Sequence, residues 1–167
     1  IKYIKIIGIK MNVMHPGFVH FVVALPVVAL FSQFTYMVTK DKAYSKAATR
    51  IIAFALLVSL FAVLSGLSDA EKVMDANKIL QEGVNVLNNH KIFGFVVVAI
   101  LFVTTLTKWF ALSKNSSRLE YLSIALIILA SMASLYQGRS GGSIVYQYTG
   151  GIDNQVITQR VNEQKKN

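Results

Sequence analysis

The chain has 167 residues, of which 54% are hydrophobic and only 15% charged, with a mean hydropathy of +0.51 and no cysteine. Soluble domains carry about 25% charged residues, so this composition excludes low-complexity disorder and argues against a water-soluble enzyme. The lack of cysteine removes disulfides, iron–sulfur ligation, thiolate metal sites and covalent c-type haem attachment. The net charge of +9 comes from 17 basic and 8 acidic residues. These charges gather at the ends of apolar segments and form no stripe, which is the pattern of membrane topology and not of nucleic-acid binding.

The N-terminal arm, residues 1–14, is amphipathic and too short to span. It holds Met11 and Met14 beside His15, a soft-ligand grouping that would suit Cu(I), although gap-filling methionines are common in apolar chains. Four stretches then have the roughly 20 apolar residues that a membrane crossing needs, at about 16–38, 47–67, 92–112 and 119–136. The first is read as its own signal-anchor. Pro16 opens it where a missing N–H costs nothing, and Pro26 inside it predicts a kink. Lys40, Lys42, Lys46 and Arg50 follow the first span, and Lys108, Lys114 and Arg118 surround the third junction. The positive-inside rule puts these two loops in the cytoplasm and both termini outside.

Between the second and third spans, Ser68-Asp69-Ala70-Glu71 has the spacing of a capping box. It predicts a short helix near the outer surface that ends at Gly83. After the fourth span, Gly138 to Gly142 reads as a turn, and the alternation from Ser143 to Tyr148 reads as a short strand or extended segment. No internal repeat is evident. The expected fold is therefore an all-α, four-helix transmembrane bundle with a short outer-surface helix and an extended C-terminal tail. Residues 1–152 form one membrane domain and 153–167 a polar tail.

All three histidines, His15, His20 and His90, fall at the outer end. The first and third spans run parallel, so His15 and His90 share a depth. His20 lies about 7.5 Å deeper and is rotated by about 140° from His15, so only one of the two can meet His90 across the bundle. Ionisable groups inside a membrane default to function, and His20 is the only histidine well within an apolar run. Two imidazoles on facing helices can clamp the iron of a b-type haem. The expected axial pair is His20 and His90, with His15 as the replacement for His20. Phe18, Phe21, Phe93 and Phe95 would wall the ring, Gly17 and Gly94 would let it approach the backbone, and Arg139 would neutralise a propionate. The plainer alternatives are headgroup-level histidines at positions 15 and 90, and at His20 a hydrogen bond to a neighbouring helix. No phosphate-binding loop, catalytic triad or zinc-hydrolase motif is present. The acids cluster outside the spans, which argues against proton-coupled transport.

The segment His15-Pro16-Gly17-Phe18-Val19-His20-Phe21 resembles the His-Pro-x-x-x-His-Phe opening of a family of small four-span bacterial membrane proteins known as a domain of unknown function. Gly66 with Asp69, His90, Gly141-Gly142-Ser143-Ile144-Val145-Tyr146 and Gly150-Gly151 resemble its other features. The resemblance covers about residues 15–152 and departs at Val22, where the family usually has proline. It implies a redox-associated protein of the bacterial inner membrane and supports haem b as cofactor. The expected role is electron transfer, without substrate turnover, between a quinone-linked membrane partner and a periplasmic cytochrome, as a subunit of a larger complex. The rival expectations are a haem-free interaction subunit that packs through small residues such as Ser65-Gly66, and a copper-handling protein.

Overall fold

The computed structural model describes residues 14–75 and 78–165. It contains five helices: α1 (Met14–Thr39), α2 (Lys42–Asp75), α3 (Gln81–Ser113), α4 (Ser117–Tyr146) and α5 (Asn154–Gln164). The first four are long and apolar enough to cross a membrane. They form an up-down-up-down ring in which α1 packs on α2 and α4, and α3 packs on α2 and α4. The lipid-facing surface is written in the sequence as outward aromatic and aliphatic side chains, Phe31, Phe54, Leu64 and Trp109 among them. The interior is narrow and filled by small or branched residues: Val22, Ala29, Ile52, Ala55, Val97, Leu101, Ile127 and Ala130.

Five expectations for the segments outside the spans change. The capping-box segment at Ser68 does not start a new helix, because α2 is already running and its backbone N–H groups are bonded from within; α2 continues to Asp75. Gly83 does not end a helix but lies buried in the first turn of α3, where Tyr148 covers it. Gly138 to Gly142 is not a turn, and Ser143 to Tyr146 is not a strand; both belong to α4. Glycine costs about 1 kcal/mol per residue in a helix interior, and its use here is close approach, since a Cβ on Gly138 would meet Val23 at 3.0 Å. The tail is not extended: α5 starts from Asp153, whose side chain accepts from the backbone N–H of Gln155 at 2.9 Å and which pairs with Lys78 at 3.5 Å. That backbone hydrogen bond, ahead of the Lys78 charge, holds the Asp153 carboxyl below its ordinary range.

The bundle also contains a repeat, contrary to the sequence expectation. The hydrogen-bonded pairs Gln33–Lys108 and Ser45–Glu120 are each separated by 75 residues. The same step maps His15 on His90, Phe18 on Phe93, Val22-Val23-Ala24 on Val97-Val98-Ala99, Ile52 on Ile127, Ala55 on Ala130, Ser59 on Ser134, and Ser65-Gly66 on Ser140-Gly141. The structure obeys it too. Lys40 and Asn115, which follow α1 and α3, both take a left-handed backbone, with φ 59° and 47°. Asp41 and Ser116, one residue on, both accept a backbone N–H of the next helix. The ring pairs Phe18–Phe61 and Phe93–Tyr136 are counterparts, with centroids 5.7 and 5.0 Å apart.

The molecule is thus two helical hairpins, α1–α2 and α3–α4, related by a quasi-twofold axis. Residues that touch their own counterparts must lie on such an axis, as in an isologous interface. Gln33 touches Lys108 and Ser45 touches Glu120, so the axis passes through this group. Parallel repeats of this kind, with the axis along the membrane normal, are a known way to build membrane bundles.

Candidate functional site: a cavity between two histidines

The end of the bundle away from the basic loops opens into a cavity of about 830 Å³. This lies within the 300–1,000 Å³ range of small-molecule sites. Valine is the commonest residue of its lining, which includes the repeat-related pairs Val22/Val97 and Val23/Val98. His15 and His90 both line it.

Each imidazole is held by the second helix of its own hairpin. Nδ1 of His15 lies 2.9 Å from the carbonyl oxygen of Ala62 and 3.2 Å from Oγ of Ser65. A carbonyl only accepts, so Nδ1 carries the proton and Nε2 holds the free lone pair. In the other hairpin, Nδ1 of His90 lies 3.3 Å from Oγ of Ser140, and Nε2 lies 3.3 Å from the amide nitrogen of Gln137. An amide nitrogen only donates, so Nε2 again bears the lone pair and Nδ1 the proton. The same tautomer results in both halves. Glycine makes room for each ring: a Cβ on Gly66 would lie 2.7 Å from Cε1 of His15, and one on Gly141 would lie 3.1 Å from Cε1 of His90.

His20 is not the buried histidine. It lies on the exposed face of α1, and its Nδ1 donates to the Pro16 carbonyl one turn back. Its counterpart in the second half is Phe95, also exposed. The structure therefore brings together His15 and His90, not His20 and His90. Helical phase explains the difference, since the rotation that separates His15 from His20 turns one inward and the other outward. Arg139 is exposed and does not line the cavity. The aromatic wall is also replaced: Phe21 and Phe95 face outward, while Phe18 and Phe93 pack within their hairpins against Phe61 and Tyr136. Gly94 lines the cavity, whereas Gly17 is exposed. Met11 lies outside the described residues.

Two buried polar atoms at the site have no partner among the described residues: Ser134 Oγ and Gln137 Oε1. Other serines of α4 bond back to their own helix, Ser123 to Leu119 and Ser131 to Ile127. Ser134 does not, and its hydroxyl is left for whatever fills the cavity. Buried unpaired groups of this kind mark a site for water or a ligand. Among the described residues, no group of three or more His, Cys, Asp or Glu is arranged to hold a metal ion.

The sequence reading missed a second polar group at the opposite end. Lys108 is fully buried, and its Nζ donates to Gln33 Oε1 at 2.7 Å, Ser45 Oγ at 2.8 Å and Glu120 Oε2 at 2.7 Å. Glu120 in turn accepts from Ser45 at 2.6 Å and from Gln33 at 2.8 Å. One residue comes from each of the four helices. Lys108 therefore does not belong with the loop cations. Lys40, Lys42, Lys46, Arg50, Lys114 and Arg118 are exposed and do. The signal that would have found the group is the 75-residue step itself.

Of the residues that carried the family resemblance, His15, Pro16, Gly66, Asp69, His90, Gly141 and Gly150-Gly151 line the cavity, whereas Gly17, Phe18, His20, Phe21, Gly142, Ser143 and Tyr146 do not. No curated protein and no solved structure matches the chain. A family described as a predicted membrane protein, DUF2231, matches residues 12–154, which is most of the sequence and all four long helices, and the chain belongs to that family.

Proposed function

We propose that this membrane protein binds one b-type haem in the cavity, where His15 and His90 would be the residues that hold its iron. One observation carries the reading: two imidazoles in repeat-related positions line one apolar cavity, each pinned through Nδ1 with Nε2 left as the lone pair. Metal-bound histidines commonly donate their second ring nitrogen to a carbonyl or similar group, which fixes tautomer and orientation. His15 meets that pattern through Ala62, and His90 meets it through Ser140. Gly66 and Gly141 let each ring pack closely on the second helix of its hairpin, which fixes its position. Gln137 is the one group that competes for Nε2 of His90.

Such a haem, held by two imidazoles, would supply one-electron transfer. The residues of the chain would fix the rings, exclude water with valines and set the orientation of the cofactor. By the positive-inside rule, the six exposed cations of the 39–50 and 114–118 loops support a cytoplasmic position for that end. The cavity then opens at the periplasmic face of the bacterial inner membrane, with both termini on that side. The protein would pass electrons between a quinone-linked membrane partner and a periplasmic cytochrome, as part of a larger redox complex. The test is the absorption spectrum of the detergent-purified protein, oxidised and dithionite-reduced, with a pyridine haemochrome assay. A Soret band and a b-type α band at one haem per chain are expected. A colourless protein from haem-replete cells overturns the reading.

A further inference from the structure

The two hairpins present the same imidazole, serine and glycine to the cavity, but they are not the same everywhere. Pro16 and Ala62 of the first half stand where the second has Lys91 and Gln137, and all four line the cavity. These departures give one side of a quasi-symmetric cavity an ammonium group and an amide that the other side lacks.

Three lysines line the cavity: Lys72, Lys78 and Lys91. Lys72 pairs with Asp69 at 3.4 Å and Lys78 with Asp153 at 3.5 Å. Lys91 is half-buried, follows His90 directly, and has no ion-pair or hydrogen-bond partner among the described residues. The remaining acid of the lining, Asp75, is exposed. It stands nine residues beyond Gly66, the glycine beneath His15, which places it about 13 Å further out along α2. A half-buried lysine directly after His90, without a counter-ion among the described residues, in the same lining as the unpartnered hydroxyl of Ser134, points to an occupant that brings its own negative charge.

We propose that Lys91 binds a carboxylate of the cavity's occupant and so fixes which way round it enters. This rests on the haem reading for its preferred source, a haem propionate, while a fatty-acid carboxylate offers the same chemistry. Lys91 thereby takes the part expected of Arg139, which faces away. The amide of Gln137, on the same side, adds a second polar contact absent from the first half.

The test uses the full chain in detergent and four probes: haemin, haemin dimethyl ester, palmitate and methyl palmitate. Haemin and its ester are titrated by Soret absorbance, and the lipids by calorimetry. Lys91→Gln removes the charge, Lys91→Arg keeps it, and thermal unfolding checks that both variants fold. The expected result is haemin binding about fivefold tighter than its ester, a preference lost in Lys91→Gln and kept in Lys91→Arg. Haemin and ester binding alike, or a preference unchanged in Lys91→Gln, overturns the role of Lys91 and leaves the haem reading standing. No Soret change, with palmitate preferred over its methyl ester in a Lys91-dependent way, supports the carboxylate site and overturns haem. No binding of any probe overturns both.

Discussion

At the basic-loop end, Gln33, Ser45, Lys108 and Glu120 consume one another's hydrogen-bonding capacity: all three protons of the ammonium group and both carboxylate oxygens have partners. At the histidine end, polar groups from the same pair of hairpins stand apart, with a lone pair on Nε2 of His15 and unpartnered atoms on Ser134 and Gln137. Both groups straddle the quasi-twofold axis, so the difference is not one of topology. Where counterpart positions diverged, Gln33 to Lys108 and Ser45 to Glu120, each residue bonds its counterpart and the axis closed. Where identical imidazoles were placed, each leans on its own hairpin and the axis stays open. A polar group that answers itself holds a bundle together, and one left unanswered is available to bind.

The largest expected effect breaks the closed end. Lys108→Ala strands a buried carboxylate, and Glu120→Ala strands a buried ammonium. Each should destabilise the bundle by about 3–5 kcal/mol, the usual result of removing half of a buried pair. The double variant Lys108→Gln with Glu120→Ser gives the second hairpin the residues of the first. It should recover most of that loss, and with the matching singles Lys108→Gln and Glu120→Ser it should show a coupling of about 2 kcal/mol or more in a double-mutant cycle of detergent unfolding. A double variant no better than the singles would mean that the pair does not act as a unit.

The open end should respond differently. Gly66→Ala and Gly141→Ala each push a methyl against an imidazole, but the ring edge can yield, so the expected stability loss is only about 1 kcal/mol. The displaced ring should cost ligand binding more than stability, and Gly66→Ala should do so more strongly because its contact is the closer, 2.7 Å against 3.1 Å. Equal effects on stability and binding in both variants would blur the contrast between the ends. The smallest effect concerns a turn: Lys40→Gly should stabilise by about 0.5–1 kcal/mol by relieving a left-handed lysine. Asn115→Gly should change little, since asparagine tolerates that conformation. Thermal unfolding of the two variants side by side measures the difference.

The four spans were legible because a bilayer demands long apolar runs, and Phe31 or Leu64 advertise lipid contact without any partner. Their ends were not, because a capping signal such as Ser68 to Glu71 has force only where a helix is not already running. Glycines at 138, 141 and 142 mimic a turn until the side chains that fill their spaces are known. His20 misled because depth in an apolar run says nothing about phase; its position one turn past Pro16 lets it bond to its own helix and face outward. The repeat escaped notice because most counterpart positions exchange one aliphatic residue for another. Its two most telling pairs have also diverged in chemistry, Gln33 to Lys108 and Ser45 to Glu120. Their relation shows only when the partners are seen in contact.

Haem binding at this end depends on which histidines share the cavity. The most direct test is the reduced-minus-oxidised absorption spectrum of His15→Ala, His90→Ala and His20→Ala, each purified from haem-replete cells beside the parent protein. The prediction is that His15→Ala and His90→Ala each lose the low-spin b-type bands while His20→Ala keeps them at the parent's intensity. Loss of the bands in His20→Ala, with His15→Ala unaffected, would contradict it.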